Sequence, residues 1–293
     1  MGHCSSNTRG SLRTYLVIFL VLGLFCQRSK VMAQCRNSDF PGKDGIAAAP
    51  ARPTESSAPD PIQTGVVEFE TGLAHNWVNG GGAQNTLSML TKFGAWCNVE
   101  LRWSTSPFFD DTTTPTPHAG LGDSFFAAQY RFHRESSRLP SMAVGYTVKV
   151  PTAKASLGLG SGETDHMAML LLGKNVKRVN VLTNFNYYAI GQGHGRYDTK
   201  AEVTLEASLL VKGRWGAIGE VFYNSRLNAS NVAYRSSTWA VTYAFSPRLI
   251  IDAGTNVGLS RGPGAPGKTA FVGCSYAVGD LYSQRRIPHL RRG

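Results

Sequence analysis

The sequence predicts an all-β fold, a transmembrane antiparallel up-and-down β-barrel of about twelve strands. Apolar and polar residues alternate strictly in segments such as 141–150 (SMAVGYTVKV), which is the period of a strand with one apolar and one polar face. About ten residues is also the length that a tilted strand needs to cross a bilayer. Short and long connections alternate along the chain, and aromatic residues stand near the strand ends, as is typical of outer-membrane barrels.

The first 33 residues are predicted to be a secretory signal peptide. Arg9 and Arg13 precede an apolar run at 15–25, and small residues stand just before Gln34. The run is much shorter than the roughly 20 residues that a membrane-spanning helix needs. Without such a helix, a membrane protein must be a closed barrel, because only helices and barrels satisfy every backbone amide in lipid. A soluble secreted β-sandwich is the alternative fold.

Residues 34–62 are rich in Ala, Pro and Ser and show no periodicity. This composition predicts a flexible periplasmic leader. The barrel is then predicted at 63–278, followed by a basic C-terminal tail at 279–293. The net charge of +11 includes four basic residues of the signal peptide and several in the tail. The barrel itself is therefore only mildly basic, which argues against nucleic acid as a partner.

Twelve strands are predicted from the alternation. An even number is expected for a bacterial single-chain barrel, because both chain ends must lie on the same side. The predicted ranges are 64–74, 85–93, 97–106, 121–133, 140–150, 163–174, 178–190, 199–212, 214–225, 234–245, 248–259 and 267–278.

The connections between these strands indicate which ends face which compartment. The links after most even-numbered strands are short, whereas those after odd-numbered strands are longer. The long links include 107–120, 151–162, 191–198, 226–233 and 260–266. Short periplasmic turns and longer extracellular loops are typical of outer-membrane barrels, and a β-sandwich has no reason to alternate in this way.

Aromatic side chains are predicted to mark the two membrane interfaces. Trp and Tyr prefer the boundary between lipid and water, and barrels carry an aromatic girdle at each boundary. The candidates are Trp96, Trp103, Phe132, Tyr146, Tyr187, Trp215, Tyr223, Phe245 and Tyr276.

If apolar positions face lipid, the opposite face of the strands collects polar and charged residues in the lumen. A Lys or Arg on the lipid face would cost about 2–4 kcal/mol near the bilayer midplane. Twelve strands enclose a lumen too wide for side chains to fill, so these groups line a pore or form a salt-bridged plug. The lumen-lining candidates are Glu68, Glu70, Glu100, Arg102, Gln129, Arg131, Lys149, Lys174, Asn184, Asn186, Glu202, Glu206, Glu220 and Asp252.

No catalytic, metal or cofactor site is predicted. The histidines lack the paired spacing of metal ligands, and no nucleophile motif accompanies His133 or His166. After signal removal the odd cysteine count gives no disulfide framework. Cys97 and Cys274 are expected to face lipid as small apolar residues.

Several motifs resemble a known family in their order and spacing. They are GLGD at 120–123, VKVPTA at 148–153, GLGSG at 158–162, NFNYYAIG at 184–191 and FVGCSY at 271–276. The sequence resembles the outer-membrane family named after the meta-pathway of phenol degradation. The resemblance implies a barrel that acts as a channel or transporter, often in aromatic-compound breakdown. Val278 departs from this pattern, because such barrels usually close on a terminal aromatic residue.

The function predicted from these features is a porin-like channel through which small solutes, hydrophobic or aromatic, diffuse passively. The partners are outer-membrane lipid, the barrel-assembly machinery and a small-molecule solute, and the location is the bacterial outer membrane. A structural or adhesive barrel with a plugged interior is the alternative. An outer-membrane hydrolase is a third hypothesis, although no residues that would carry it stand out.

Overall fold

The computed structural model describes residues 35–42, 45–79, 81–113, 118–228, 231–262 and 265–282 of the 293. The predicted signal peptide and residues 283–293 of the predicted tail lie outside this part of the chain. No helix within the described ranges is long and apolar enough to cross a membrane.

Thirteen strands are present in the described residues. Twelve form the barrel, and the three-residue β4 extends one edge of β3. The strands are β1 Val66–Trp77, β2 Ala83–Trp96, β3 Val99–Asp111, β4 His118–Gly120, β5 Ser124–His133, β6 Ser141–Val150, β7 Asp165–Val176, β8 Val179–Gly191, β9 Tyr197–Lys212, β10 Trp215–Asn224, β11 Tyr234–Ser246, β12 Leu249–Gly258 and β13 Lys268–Asp280.

The sheet closes on itself, so it has no free edge. Each barrel strand pairs antiparallel with its neighbour along the chain, and β13 pairs with β1 in a register that sets Phe69 opposite Tyr276. Closure of this kind pairs the backbone groups that an open sheet would leave at its edges. The predicted fold is therefore confirmed, and a β-sandwich is excluded.

Turn lengths follow the predicted alternation. The turns after β2, β7, β9 and β11 contain two residues each, whereas β6 and β7 are joined by residues 151–164. The start of β1 and the end of β13 lie at the end of the barrel with the short turns, here called the short-turn end. The opposite end is called the long-loop end.

The two faces of the sheet differ as the alternation predicts. In β6, Ala143, Thr147 and Lys149 are buried, whereas Val144 and Tyr146 are exposed. All nine predicted interface aromatics are exposed. Their position at the membrane boundaries stays a prediction.

Residues 46–62 lie inside the barrel and are called the inner loop. Their contacts are with inward-facing side chains on strands all around the wall, from β1 to β12. This placement corrects the interpretation of residues 34–62 as a leader that lies outside the barrel. The lack of periodicity agrees with the structure of this segment, since a single 3₁₀ turn at Asn37–Asp39 is the regular element described there.

Candidate functional site

Most of the predicted lumen-lining residues are buried inside the barrel. Twelve of the fourteen candidates are 8% exposed or less, and the exceptions are Arg102 and Lys174. Buried charges and amides need hydrogen-bond partners. In this barrel many of those partners belong to the inner loop.

The inner loop begins along β1, where wall glutamates accept its backbone N–H groups. Ala49 donates its N–H to Glu68 at 2.7 Å, and Ala51 donates to Glu70 at 2.9 Å. Lys92 of β2 lies between the two carboxylates, 2.7 Å from each, and also donates to the carbonyl of Ala49. One buried lysine thus pairs with two wall carboxylates and binds the loop backbone.

Arg52 then reaches across the lumen. Its guanidinium lies 3.3 Å from Asp252 of β12 and donates to Ser88 of β2 at 3.1 Å. Gly72 and Gly273 make room for it, because a Cβ atom added at either position would lie within 2.4 Å of Arg52 side-chain atoms. The two glycines on adjacent strands are therefore required for close approach.

The tip of the inner loop binds β9 and β10. Thr54 donates its hydroxyl to Glu206 at 2.6 Å. The backbone N–H groups of Glu55 and Ser56 both donate to Glu220, at 3.1 and 2.7 Å. A single carboxylate that accepts two consecutive N–H groups fixes the direction of the loop at this point.

The returning half of the loop binds β3 and β5. Arg102 donates to the hydroxyl of Ser57 at 2.9 Å and to Gln129 at 3.0 Å. Arg131 donates to Asp60 at 2.6 Å. Arg102 is only partly buried, and its contacts with the loop agree with the predicted inward orientation.

The base of the loop is closed by Gln63. Its side chain accepts a hydrogen bond from the N–H of Ala47 and donates to the carbonyl of Gly45. Ile62 donates its N–H to Glu100 at 2.7 Å and packs with Val66. The loop therefore enters and leaves the lumen at the short-turn end, and its tip contacts β9 and β10.

A cavity of about 420 Å³ remains beside the inner loop. It lies between the loop and the wall formed by β8 to β12, and it mixes apolar side chains with polar ones. Pockets for small molecules usually have volumes of about 300–1,000 Å³ and a few polar groups among apolar ones. Among the lining residues are Arg52, Thr54, Leu182, Glu206, Ile218 and Asp252.

The sequence motifs meet at the long-loop end. Lys149 lies 2.6 Å from Asp165 and 3.5 Å from Asp123, and it donates to Ser161 at 2.7 Å. Asp123 in turn accepts the N–H of Ala153 at 3.0 Å. Residues from GLGD, VKVPTA and GLGSG thus act together to hold the segment 151–164 against the barrel.

This contact predicts the effect of removing the Lys149 charge. Lys149→Met leaves two carboxylates facing each other, so we expect residues 151–164 to detach more often and trypsin to cleave at Lys154 about ten-fold faster. Cleavage is followed on intact protein in liposomes. Lys177→Met, in an exposed turn, is the matched control and should cleave at the wild-type rate at Lys154. An unchanged cleavage rate in Lys149→Met would contradict a role for Lys149 in holding residues 151–164 against the barrel.

Lys174 does not face the lumen, and its predicted orientation was wrong. It lies on the same face of β7 as Leu170 and Leu172, and its ammonium group donates to backbone carbonyls of the turn between β5 and β6 and pairs with Glu135. Burial alone would raise the pKa of Glu135, but hydrogen bonds from Asn175 and the charge of Lys174 lower it. The prediction failed because β7 carries apolar residues on both faces. Its inward positions include Met169, which is buried.

Cys97 is also not lipid-facing. It lies in the turn between β2 and β3, is 2% exposed and is disulfide-bonded. Its carbonyl accepts a hydrogen bond from Arg131 at 2.8 Å. Cys274 is a free cysteine on β13.

The histidines are engaged in local contacts. His166 lies on the outer face of the barrel, 2.6 Å from the hydroxyl of Tyr146. His133 contacts the carbonyl of Pro140 at 2.9 Å. Within the described residues, no group of three or more His, Cys, Asp or Glu side chains is arranged to hold a metal ion.

Comparisons with known proteins agree with this architecture. A family model described as "Putative MetA-pathway of phenol degradation" matches residues 52–269. No curated protein matches the chain.

Two solved structures show the same fold at low sequence identity. The COG4313 outer membrane channel from Pseudomonas putida F1 is 9% identical, with a TM-score of 0.61 over 77% of this chain and 100% of that one. The NanC porin is 8% identical, with a TM-score of 0.50 over 72% of this chain and 100% of that one. Because the family model covers most of the chain, this protein belongs to the MetA-pathway phenol-degradation family and is a β-barrel of the bacterial outer membrane.

Proposed function

We propose that the protein is an outer-membrane channel for small solutes, hydrophobic or aromatic in character, that diffuse through a lumen narrowed by the inner loop. The outer membrane separates two aqueous compartments. The lumen of a closed barrel is the one path across this membrane that does not pass through lipid. The family to which the chain belongs is named for phenol degradation, and the similar structure from Pseudomonas putida is itself a channel.

The observation that carries this proposal is the cavity beside the inner loop. A barrel built only for mechanical stability would have an interior filled by interlocked side chains. Here the half of the lumen toward β1 to β6 is crossed by ion pairs, whereas a volume of about 420 Å³ stays open toward β8 to β12. Leu182, Ile218 and Ile250 give this volume apolar surface that suits a solute with an apolar body.

The proposal is tested by single-channel recording and solute uptake. Purified protein in planar bilayers should pass ions in discrete steps, and liposomes that contain it should swell in small neutral solutes. Heat-denatured protein is the control for leakage. Absence of current and of uptake, both in the wild type and after removal of the inner loop, would contradict a channel.

A structural barrel with a blocked interior is the second candidate. The buried ion pairs around Lys92 and Arg131 favour it, because they hold the inner loop across the lumen. It predicts that the barrel conducts nothing even when the loop is loosened. Binding of a partner would then depend on external loops such as 225–233, and deletion of that loop would abolish binding without any effect on permeability.

A further inference from the structure

Carboxylates without a basic partner are concentrated on one side of the lumen. Glu202, Glu206 and Glu220 project inward from the adjacent strands β9 and β10, and all three are buried. Glu206 and Glu220 stand directly opposite each other in the strand register. Glu55 of the inner loop adds a fourth carboxylate on this side, since its neighbour Ser56 binds both Glu220 and Thr204. Four acidic groups therefore border one part of the lumen.

Neutral groups hold these carboxylates. Glu202 accepts hydrogen bonds from Asn186, Tyr188 and Asn224, at 2.8, 3.0 and 2.8 Å. As described above, Glu206 accepts from a threonine hydroxyl, and Glu220 accepts from two backbone N–H groups. Neutral donors stabilise a carboxylate anion without cancelling its charge. No salt bridge in the described part of the chain includes any of these glutamates.

On the opposite side of the lumen the carboxylates lie beside basic side chains. Lys92 pairs with two glutamates, and Arg102, Arg131 and Lys149 each pair with at least one carboxylate. On the side of β9 and β10, Lys200 donates to the amide oxygen of Asn224 and lies 4.5 Å from the ring centre of Tyr188. The carboxylates without a basic partner thus lie on the side of β9 and β10, and one of them, Glu206, borders the cavity, whose lining also includes Arg52, Lys177 and Arg178.

Two further features of this side point to a positively charged or hydrogen-bond-donating solute. The cavity of about 420 Å³ is bordered by Glu206 itself. Next to Glu202, the side chain of Asn186 is 6% exposed, and its Oδ1 atom has no hydrogen-bond partner among the described residues. A buried acceptor without a donor is costly unless a ligand or ion supplies the missing partner.

We infer that the open side of the lumen selects cations and neutral hydrogen-bond donors over anions, with Glu202, Glu206 and Glu220 as the residues that determine this specificity. Rings of acidic side chains give cation preference in other channels, because a local negative potential raises the concentration of positive solutes and excludes negative ones. A small amphipathic solute would place its apolar body against the aliphatic wall and its donor or positive group against the glutamates. The inference rests on the proposed channel function and adds to it which charge of solute the channel prefers.

The test is the reversal potential in a KCl gradient across a planar bilayer at about pH 8, where carboxylates are ionised. The wild type should prefer K⁺ to Cl⁻ by about five-fold or more. The double variant Glu202→Gln/Glu206→Gln should lower the ratio by about two-fold, because it keeps side-chain size and removes two of the four charges, with Glu55 and Glu220 left. Glu135→Gln removes the same kind of charge from an exposed turn and should leave the ratio unchanged.

The outcomes separate the two proposals. Equal permeability or anion preference in the wild type would overturn the charge selectivity while leaving the channel intact. The same conclusion would follow if the double variant kept the wild-type ratio. If the inner loop blocks all current, the ratio is measured in the loop-deleted protein, in which all three wall glutamates remain. Absence of current in both proteins would overturn the channel and the selectivity together.

Discussion

Removal of the inner loop is expected to raise single-channel conductance by about three-fold or more, because the loop occupies the middle of a lumen that twelve strands leave wide. The deletion replaces residues 46–62 with two glycines. The side chain of Gln63 already bonds to Gly45, so the ends to be joined lie close together. Conductance is measured in planar bilayers, with folding checked by heat-modifiable migration on gels.

A matched variant shows whether the loop acts through its own contacts. Glu220→Gln weakens the hydrogen bonds that the two backbone N–H groups of the loop tip donate to this side chain, but it keeps the barrel wall intact. We expect brief openings to the conductance of the deleted protein, with the lower conductance of the wild type between them. If the deletion leaves conductance at the wild-type value, the inner loop is not the constriction.

Replacement of Lys92 by Met should have the largest effect on stability. The variant leaves Glu68 and Glu70 buried without a cation and removes a donor to the backbone of Ala49. Breaking a buried ion pair by removal of one partner costs about 3–5 kcal/mol. We therefore expect the free energy of unfolding in urea, measured in liposomes, to fall by about that amount.

Two controls accompany this prediction. Lys212→Met removes an exposed lysine from the end of β9 and should change stability by less than about 0.5 kcal/mol. The triple variant Lys92→Met/Glu68→Gln/Glu70→Gln removes the uncompensated charges and should recover most of the loss. An equal loss in the single and triple variants would show that packing at Lys92, not charge, stabilises the wall.

The barrel itself could be predicted because its determinants are local. Alternation with a period of two fixes which face of a strand is buried, and short turns fix where one strand ends and the next begins. In β6 the predicted range 140–150 differs from the observed Ser141–Val150 by one residue. β2 spans Ala83–Trp96 and is longer than the predicted range 85–93, because its polar start at Gln84 pairs with β1 and β3 and its end at Trp96 pairs with Val99.

The inner loop could not be predicted from the same local patterns. Its Ala, Pro and Ser residues match the composition of a linker, and its partners stand up to 200 residues away in sequence. One signal was nevertheless present. The predicted lumen contained more glutamates than lysines and arginines, and buried carboxylates need donors. Four of the lumen carboxylates, Glu68, Glu70, Glu100 and Glu220, accept backbone N–H groups of the loop.

A reversible crosslink between the inner loop and the wall tests the central claim most directly. The hydroxyls of Ser56 and Thr204 lie 2.7 Å apart, so the variant Ser56→Cys/Thr204→Cys can form a disulfide with little movement. We predict that the current stays at the wild-type level when the introduced pair is oxidised and shows openings to the larger conductance of the loop-deleted protein after reduction. Wild-type protein, whose own disulfide at Cys97 meets the same reductant, is the control and should keep its conductance. Failure of the two cysteines to crosslink, or identical currents in both redox states, would contradict a loop that lies in the lumen and controls passage.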